Sequence, residues 1–304
     1  MLRKFFMWFF VWCLAVAPTF AQKQKDIVVN EFAALEDSLH RMAMSIIEPR
    51  DDHERLERNA AFEVALREAL LLDSTLTNRF DSVRTVSFLH SPDARFRIVS
   101  WYVPLLSGQF RYFGFVQVAP TRKEPGQLIP LTDMTASLTQ VSARELGPDE
   151  WYGAYYYELI HLRHRRHDYF TLLGWKGDNP ATRKRVIEPF RIAESGPVFG
   201  AQVFDSGERK PYRIIFEYSA RVSMSLRYHP DFVVRRRRTV PMIIFDRLSP
   251  THESLRGNYS QYVPEVNVFD GFRFIDGRWE FVPDVDARVA IDPSLVPLNP
   301  PRNP

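Results

Sequence analysis

Apolar residues recur with two different periods along the chain, and the change falls near Val83. From Asn30, a residue suited to an N-cap, the positions Phe32, Leu35, Leu39, Met42 and Ile46 step by three and four. That spacing puts them on one face of a helix, which Pro49 ends. Asp51 and Asp52 supply the acids that favour a helix N-terminus, and a second helix reaches about Leu72 with Phe62, Leu66, Ala69 and Leu70 on one side. Helices this short are marginal alone, so the pair is expected to dock on the rest of the chain.

Beyond Val83 the period is two. Residues 96–105 and 110–118 read as strands joined by Leu106-Ser107-Gly108-Gln109, a hairpin. In the second strand both alternating sets are largely apolar, as in a central strand. The stretch 121–148 is richer in Pro, Thr and Ser and reads as a long loop or short edge pieces. Further strands are expected at 151–162, 169–175, 183–192, 197–204, 212–220, 223–228, 239–246 and 266–275. Turn chemistry separates them, including Lys176-Gly177-Asp178-Asn179, Glu194-Ser195-Gly196 and His229-Pro230-Asp231. The clearest join is Asp276-Gly277 between alternating aromatics, the strongest short-range hairpin signal.

Strands this close together, with no helices between them, imply antiparallel pairing. The fold class expected is therefore mainly β (α+β), an N-terminal helical pair packed on an antiparallel β meander or sandwich-like body. The organisation expected is a leader at 1–21, a helical segment at 22–82, a β-rich body at 83–292 and a proline-rich tail at 293–304, with no independent second domain. No fixed-period repeat is present, which weighs against a propeller.

The first 21 residues carry an address. Arg3 and Lys4 precede an apolar run from Phe5 to Ala17, and Thr19-Phe20-Ala21 places small residues at a cleavage site after Ala21. That layout is a secretory signal peptide. The 13 apolar residues are too few to span a bilayer core of about 30 Å; the alternative is an uncleaved anchor. Export through the Sec pathway to the periplasm or outer envelope is expected. No transmembrane span is expected in the mature chain.

Cleavage changes the composition. The single cysteine, Cys13, leaves with the leader, and Trp12 before it excludes a lipoprotein cleavage site. A cysteine-free mature chain excludes disulfides, thiolate metal sites and thiol nucleophiles. Its Lys+Arg count falls to 38 against 37 Asp+Glu, so no basic excess points to nucleic acid.

Candidate chemistry is sparse. Glu158, His161, His164, His167 and Asp168 are metal-ligand types, yet on a strand His161 and His164 point to opposite faces and Arg163, Arg165 and Arg166 repel a cation. A polar hairpin loop explains them, and no metal or cofactor is expected. Arg235-Arg236-Arg237-Arg238 suits phosphate groups of an envelope lipid or an acidic polysaccharide, or else a solvated connection. Asp93, Glu158, Glu217, Asp246 and Asp270 are candidates for a glycosidase acid pair. Trp101, Trp151, Tyr152, Trp175 and Trp279 are candidates for stacking on sugars, or for the core.

Several motifs in order carry a resemblance. They include Ser91-Pro92-Asp93 before 96–101, Trp151-Tyr152-Gly153-Ala154, Leu172-Leu173-Gly174-Trp175, Phe245-Asp246-Arg247-Leu248-Ser249-Pro250 and Asp270-Gly271-Phe272. Over roughly 85–290 the chain resembles a family of exported proteins of unknown function from Bacteroidota-type bacteria. The resemblance implies a signal peptide and an envelope location, and no activity.

The function expected is a non-catalytic binding or scaffolding module of the envelope, with an envelope glycan or another envelope protein as partner. The alternative is a carboxylate-dependent hydrolase acting on a glycan or another envelope polymer. A ligand is expected at the turns linking the central strands, on Trp151, Tyr152, Trp175, Asp178 and Asn179.

Overall fold

A computed structural model describes residues 32–72, 75–205, 207, 210–235 and 238–286. The leader, Asn30 and the proline-rich tail lie outside these residues. The chain divides into two compact units, one holding 53–85 with the helical stretch before 50, the other 50–52 and the residues from 86.

In the first unit, helix α1 covers 32–45 and α2 covers Asp52–Leu71. On α2 the periodic positions Phe62, Leu66, Ala69 and Leu70 are buried; near α1 Leu39 and Ile46 are buried together with Ala43, while Phe32, Leu35 and Met42 are half-buried. A helix end leaves carbonyls without helical partners. Here two arginines of α2 supply them, Arg58 Nη1 donating to Ser45 O and Arg55 Nε to Pro49 O, each at 2.9 Å.

The second unit is β. Its first sheet has the order β1 (Ser87–His90), β2 (Phe96–Pro104), β3 (Phe110–Val118) and β4 (Gln127–Leu131). A second sheet contains β5 (Tyr155–His164), β6 (His167–Gly177), β7 (Thr182–Ala193) and β10 (Ile214–Ser219), in the order β10-β7-β6-β5, with β8 (Gly196–Phe199) also paired to β7. The third has β11 (Leu226–Arg235), β12 (Arg238–Pro250), β13 (Tyr262–Ile275) and β14 (Arg278–Val282), with β9 (Phe204–Asp205) on its edge. Neighbouring strands pair antiparallel, except β9, which lies parallel to β14.

The second sheet is the middle layer of this unit. Phe170 and Leu172 of β6 join Phe96, Ile98 and Val116 of the first sheet in one core. Leu173 and Ile187, on the opposite face, join Ile243, Phe245 and Phe272 of the third sheet in another. Each such fully buried aliphatic side chain contributes roughly 1.5–3 kcal/mol relative to exposure.

One extra residue in β5 serves both cores. Tyr156 pairs with Gly174 but Glu158 pairs with Leu173, so a bulge falls at Tyr157. Strand alternation would put Tyr156 and Ile160 on one face; the bulge sends Tyr156 to the first core and Ile160 to the second.

Three expected segments are corrected. The 197–204 run is two strands, because Gly200 at φ +92° turns the chain between β8 and β9. Strand 151–162 begins only at Tyr155, since Gly153 at φ +37° breaks the extended backbone. His229-Pro230-Asp231 is no turn: β11 continues through it, with its register shifted between His229 and Phe232. β11 is an edge strand, where a proline without an N–H and a bulge are both tolerated.

Candidate functional site

A half-open cavity of about 250 Å3 lies where β6 and β7 approach Trp279 of β14. Buried Phe170, Phe190 and Trp279 give it apolar walls, and the 200–203 segment passes along one side. Trp279 Nε1 donates to Thr171 Oγ1 at 3.1 Å, which fixes the indole and leaves the hydroxyl its own proton to donate. Gly200 lets the backbone pass close to Arg213, because a Cβ there would sit 2.7 Å from Nη2.

The polar rim is preorganised. Asp168 accepts from Arg95 Nη2 at 3.0 Å and sits 2.9 Å from His161 Nε2. The hydrogen bond to His161 outweighs desolvation and, with the positive charge of Arg95 added, holds the Asp168 carboxyl below its ordinary range. The His161 ring stacks on Phe170 with centroids 4.7 Å apart. Arg191 grips Glu145 through two bonds of 2.9 Å. These groups are fixed, charged partners for a ligand, and an ionised Asp168 is an acceptor rather than a general acid.

The five residues expected to hold a ligand have other duties. Trp151 is wholly buried, its Nε1 donating to the Tyr156 hydroxyl at 3.0 Å, and Tyr156 in turn donates to Glu188. Tyr152 is also buried, its ring 4.5 Å from the Lys176 ammonium. Trp175 is half-buried in ring contact with Tyr102 and Phe110. Asp178 pairs with Lys184 at 2.9 Å. Asn179 Oδ1 accepts from the backbone N–H groups of Ala181 and Thr182, closing the β6–β7 turn. The structure brings Tyr152 and Asp178 near the two lysines.

The histidine-rich segment forms the β5–β6 hairpin, with His164 opposite His167. The bulge puts Glu158 on the face of Leu173, whereas His161 shares the other face with Phe170. Among the described residues no group of three or more His, Cys, Asp or Glu could hold a metal ion. The acid candidates are likewise dispersed: Asp93 pairs with Arg95, Asp270 with Arg247, and Asp246 accepts from Ser225 N at 2.7 Å. Glu217 and Asp178 do converge, but on the Lys184 ammonium between them, at 3.5 and 2.9 Å. Burial raises the pKa of Glu158, partly countered by a backbone hydrogen bond from Tyr228.

Compared with known proteins, the chain matches no family model, no curated protein and no solved structure. Sequence reasoning missed Thr171, Phe190, Arg191 and Ala201 as cleft residues. They come from separate segments, and no local signal marks them. Of the lining residues, His167 and Asp168 stood out beforehand as parts of a metal set that the strand geometry divides, and Trp279 as a stacking candidate.

Proposed function

We propose that this is an exported envelope protein that binds its ligand without transforming it, at the cleft between β6, β7 and Trp279. The observation that carries the reading is an apolar recess with a rim whose charges are already paired and oriented. Such a rim recognises polar groups and lacks a free acid–base pair. The Sec-type leader supports export to the periplasm or outer envelope. An amino-sugar disaccharide of peptidoglycan suits the recess in chemistry, with a sugar face against Phe190 and its hydroxyls toward the paired charges of the rim.

The test uses the chain from Gln22 onward, which retains the described residues, with that disaccharide as the probe. Ligand-observed NMR should detect binding, and Ala201→Phe, which fills the recess, should abolish it. The disaccharide should remain intact after prolonged incubation. Its cleavage, or undiminished binding by the filled variant, would overturn the reading.

A further inference from the structure

We propose that one end of the β unit, formed by the tips of the β5–β6 and β13–β14 hairpins, docks against a phosphate-bearing anionic lipid surface. Basic residues far apart in sequence, Arg163-His164-Arg165-Arg166-His167 and Arg278, belong to these tips, whereas Arg236 and Arg237 lie outside the described residues. The topology brings the two tips to the same end. Tyr169, just inside β6, packs its ring on Phe274 with centroids 5.4 Å apart. Its hydroxyl lies 2.5 Å from where Gly277 would carry a Cβ, so the β5–β6 tip adjoins the β13–β14 tip. In the third sheet Met242 pairs with Arg273 in antiparallel register. The closing pair Arg235–Arg238 of β11–β12 therefore falls at the same end as the closing pair Ile275–Arg278 of β13–β14.

The cations at this end are available, and two of the four nearby acids are not. Arg163, Arg165, Arg166 and Arg278 are exposed, and Arg165, Arg166 and Arg278 form no ion pair within 4.0 Å among the described residues. Asp168 is held by His161 and Arg95, and Glu280 by Arg273. Asp276 and Glu194 are the acids of the neighbouring turns. The overall charge is nearly balanced, so this end concentrates a local positive field.

Backbone geometry adds an independent argument. Arg165 has φ +54° and Arg166 φ +148°, positions where asparagine and glycine respectively fit without strain. Arginine there works against the turn, so its charge, not the fold, accounts for it. Spread over adjacent hairpins, the charges match a planar array of phosphates better than one small anion. Exposed Ile192 and Val233 flank them with apolar surface suited to the headgroup boundary.

The experiment is co-sedimentation of the chain from Gln22 with phosphatidylcholine vesicles, with and without phosphatidylglycerol. Omitting the apolar leader removes its own membrane affinity. Binding is expected only with the anionic lipid and should weaken steeply with salt. A charge at such a surface changes partitioning about fivefold. Arg165→Asn, Arg166→Gly and Arg278→Ser combined should therefore weaken binding on the order of a hundredfold. The first two substitutions suit their φ values, so misfolding does not explain a loss; the melting temperature should hold or rise. Arg111→Ser, on β3 at the opposite end, should leave binding unchanged. Equal binding to both vesicle types, or an unaffected triple variant, would overturn the proposal. So would complete competition by inorganic phosphate at matched ionic strength, which would identify a free-anion site, or binding to a soluble acidic polysaccharide without binding to vesicles.

Discussion

Arg213 Nε lies 2.6 Å from Glu188 Oε1, and both side chains are wholly buried. The remaining polar atoms are also engaged: Arg213 donates to Arg144 O at 3.1 Å and Phe199 O at 3.0 Å, while Glu188 accepts from Tyr156. A pair this well satisfied is retained because breaking it is costly, even where its net contribution over apolar replacements is small. Glu188→Ala should lower the unfolding free energy by about 3–5 kcal/mol, since it strands a buried guanidinium. Urea denaturation checks this, and a loss below 1 kcal/mol would contradict it. Glu188→Ala with Arg213→Met should recover part of the loss.

Lys176 gives a pH signature. Its ammonium is buried over the rings of Tyr112 and Tyr152, at 4.2 and 4.5 Å, and donates to Thr135 Oγ1 and to the carbonyls of Tyr152 and Gly153. Burial lowers its pKa from 10.5 to about 8, against the opposing charges of Asp133 and Asp178. Between those two values the unfolded chain binds more protons than the folded one, so this group adds stability as pH rises through that window. Below about pH 8 both states are protonated and its contribution is flat. Lys176→Met should remove the rise, measured by urea unfolding at pH values from 7 to about 9.5, before most tyrosines ionise. At pH 7 it should also cost about 2–4 kcal/mol, because two buried carbonyls lose their donor.

Gly277 couples a turn to the cleft. Its φ is +80° and a Cβ would press on the Tyr169 hydroxyl, whose residue lines the recess. Gly277→Ala should destabilise by about 1–2 kcal/mol from the left-handed conformation alone. Displacement of Tyr169 should also alter affinity for any ligand of the cleft. Thermal unfolding with a binding titration checks both; an unchanged melting temperature would contradict the turn assignment.

Much of this architecture was legible locally. The 110–118 strand matches β3 residue for residue, because turn residues bound a short apolar run. Phe62, Leu66, Ala69 and Leu70 are buried as their spacing requires. Asp276 and Gly277, at φ +49° and +80°, make the expected tight hairpin, closed by Ile275 opposite Arg278. What stayed hidden is non-local. The pairing of Phe204 with Trp279 joins residues far apart in the chain, and nothing near either announces it. The cleft is hidden for the same reason, since four separate segments build it. Around Trp175 and Asn179 the composition is that of any turn, whether it faces a ligand or closes on itself, so sequence alone does not separate the two.

The two-sided middle sheet has a consequence for how alignment errors are rejected. In a half-exposed sheet, sliding one strand by a residue turns its greasy side to water. In β6 it would merely exchange Leu172 for Leu173, one buried leucine for another. Oil-and-water sorting is nearly blind to that mistake. What is not blind is the handful of polar side chains sealed inside. Thr171 meets the Trp279 indole, and Glu188, opposite Leu172, meets Arg213, in only one alignment. These contacts act as a combination lock: they are modest in strength, yet they specify which of two equally oily arrangements the chain keeps.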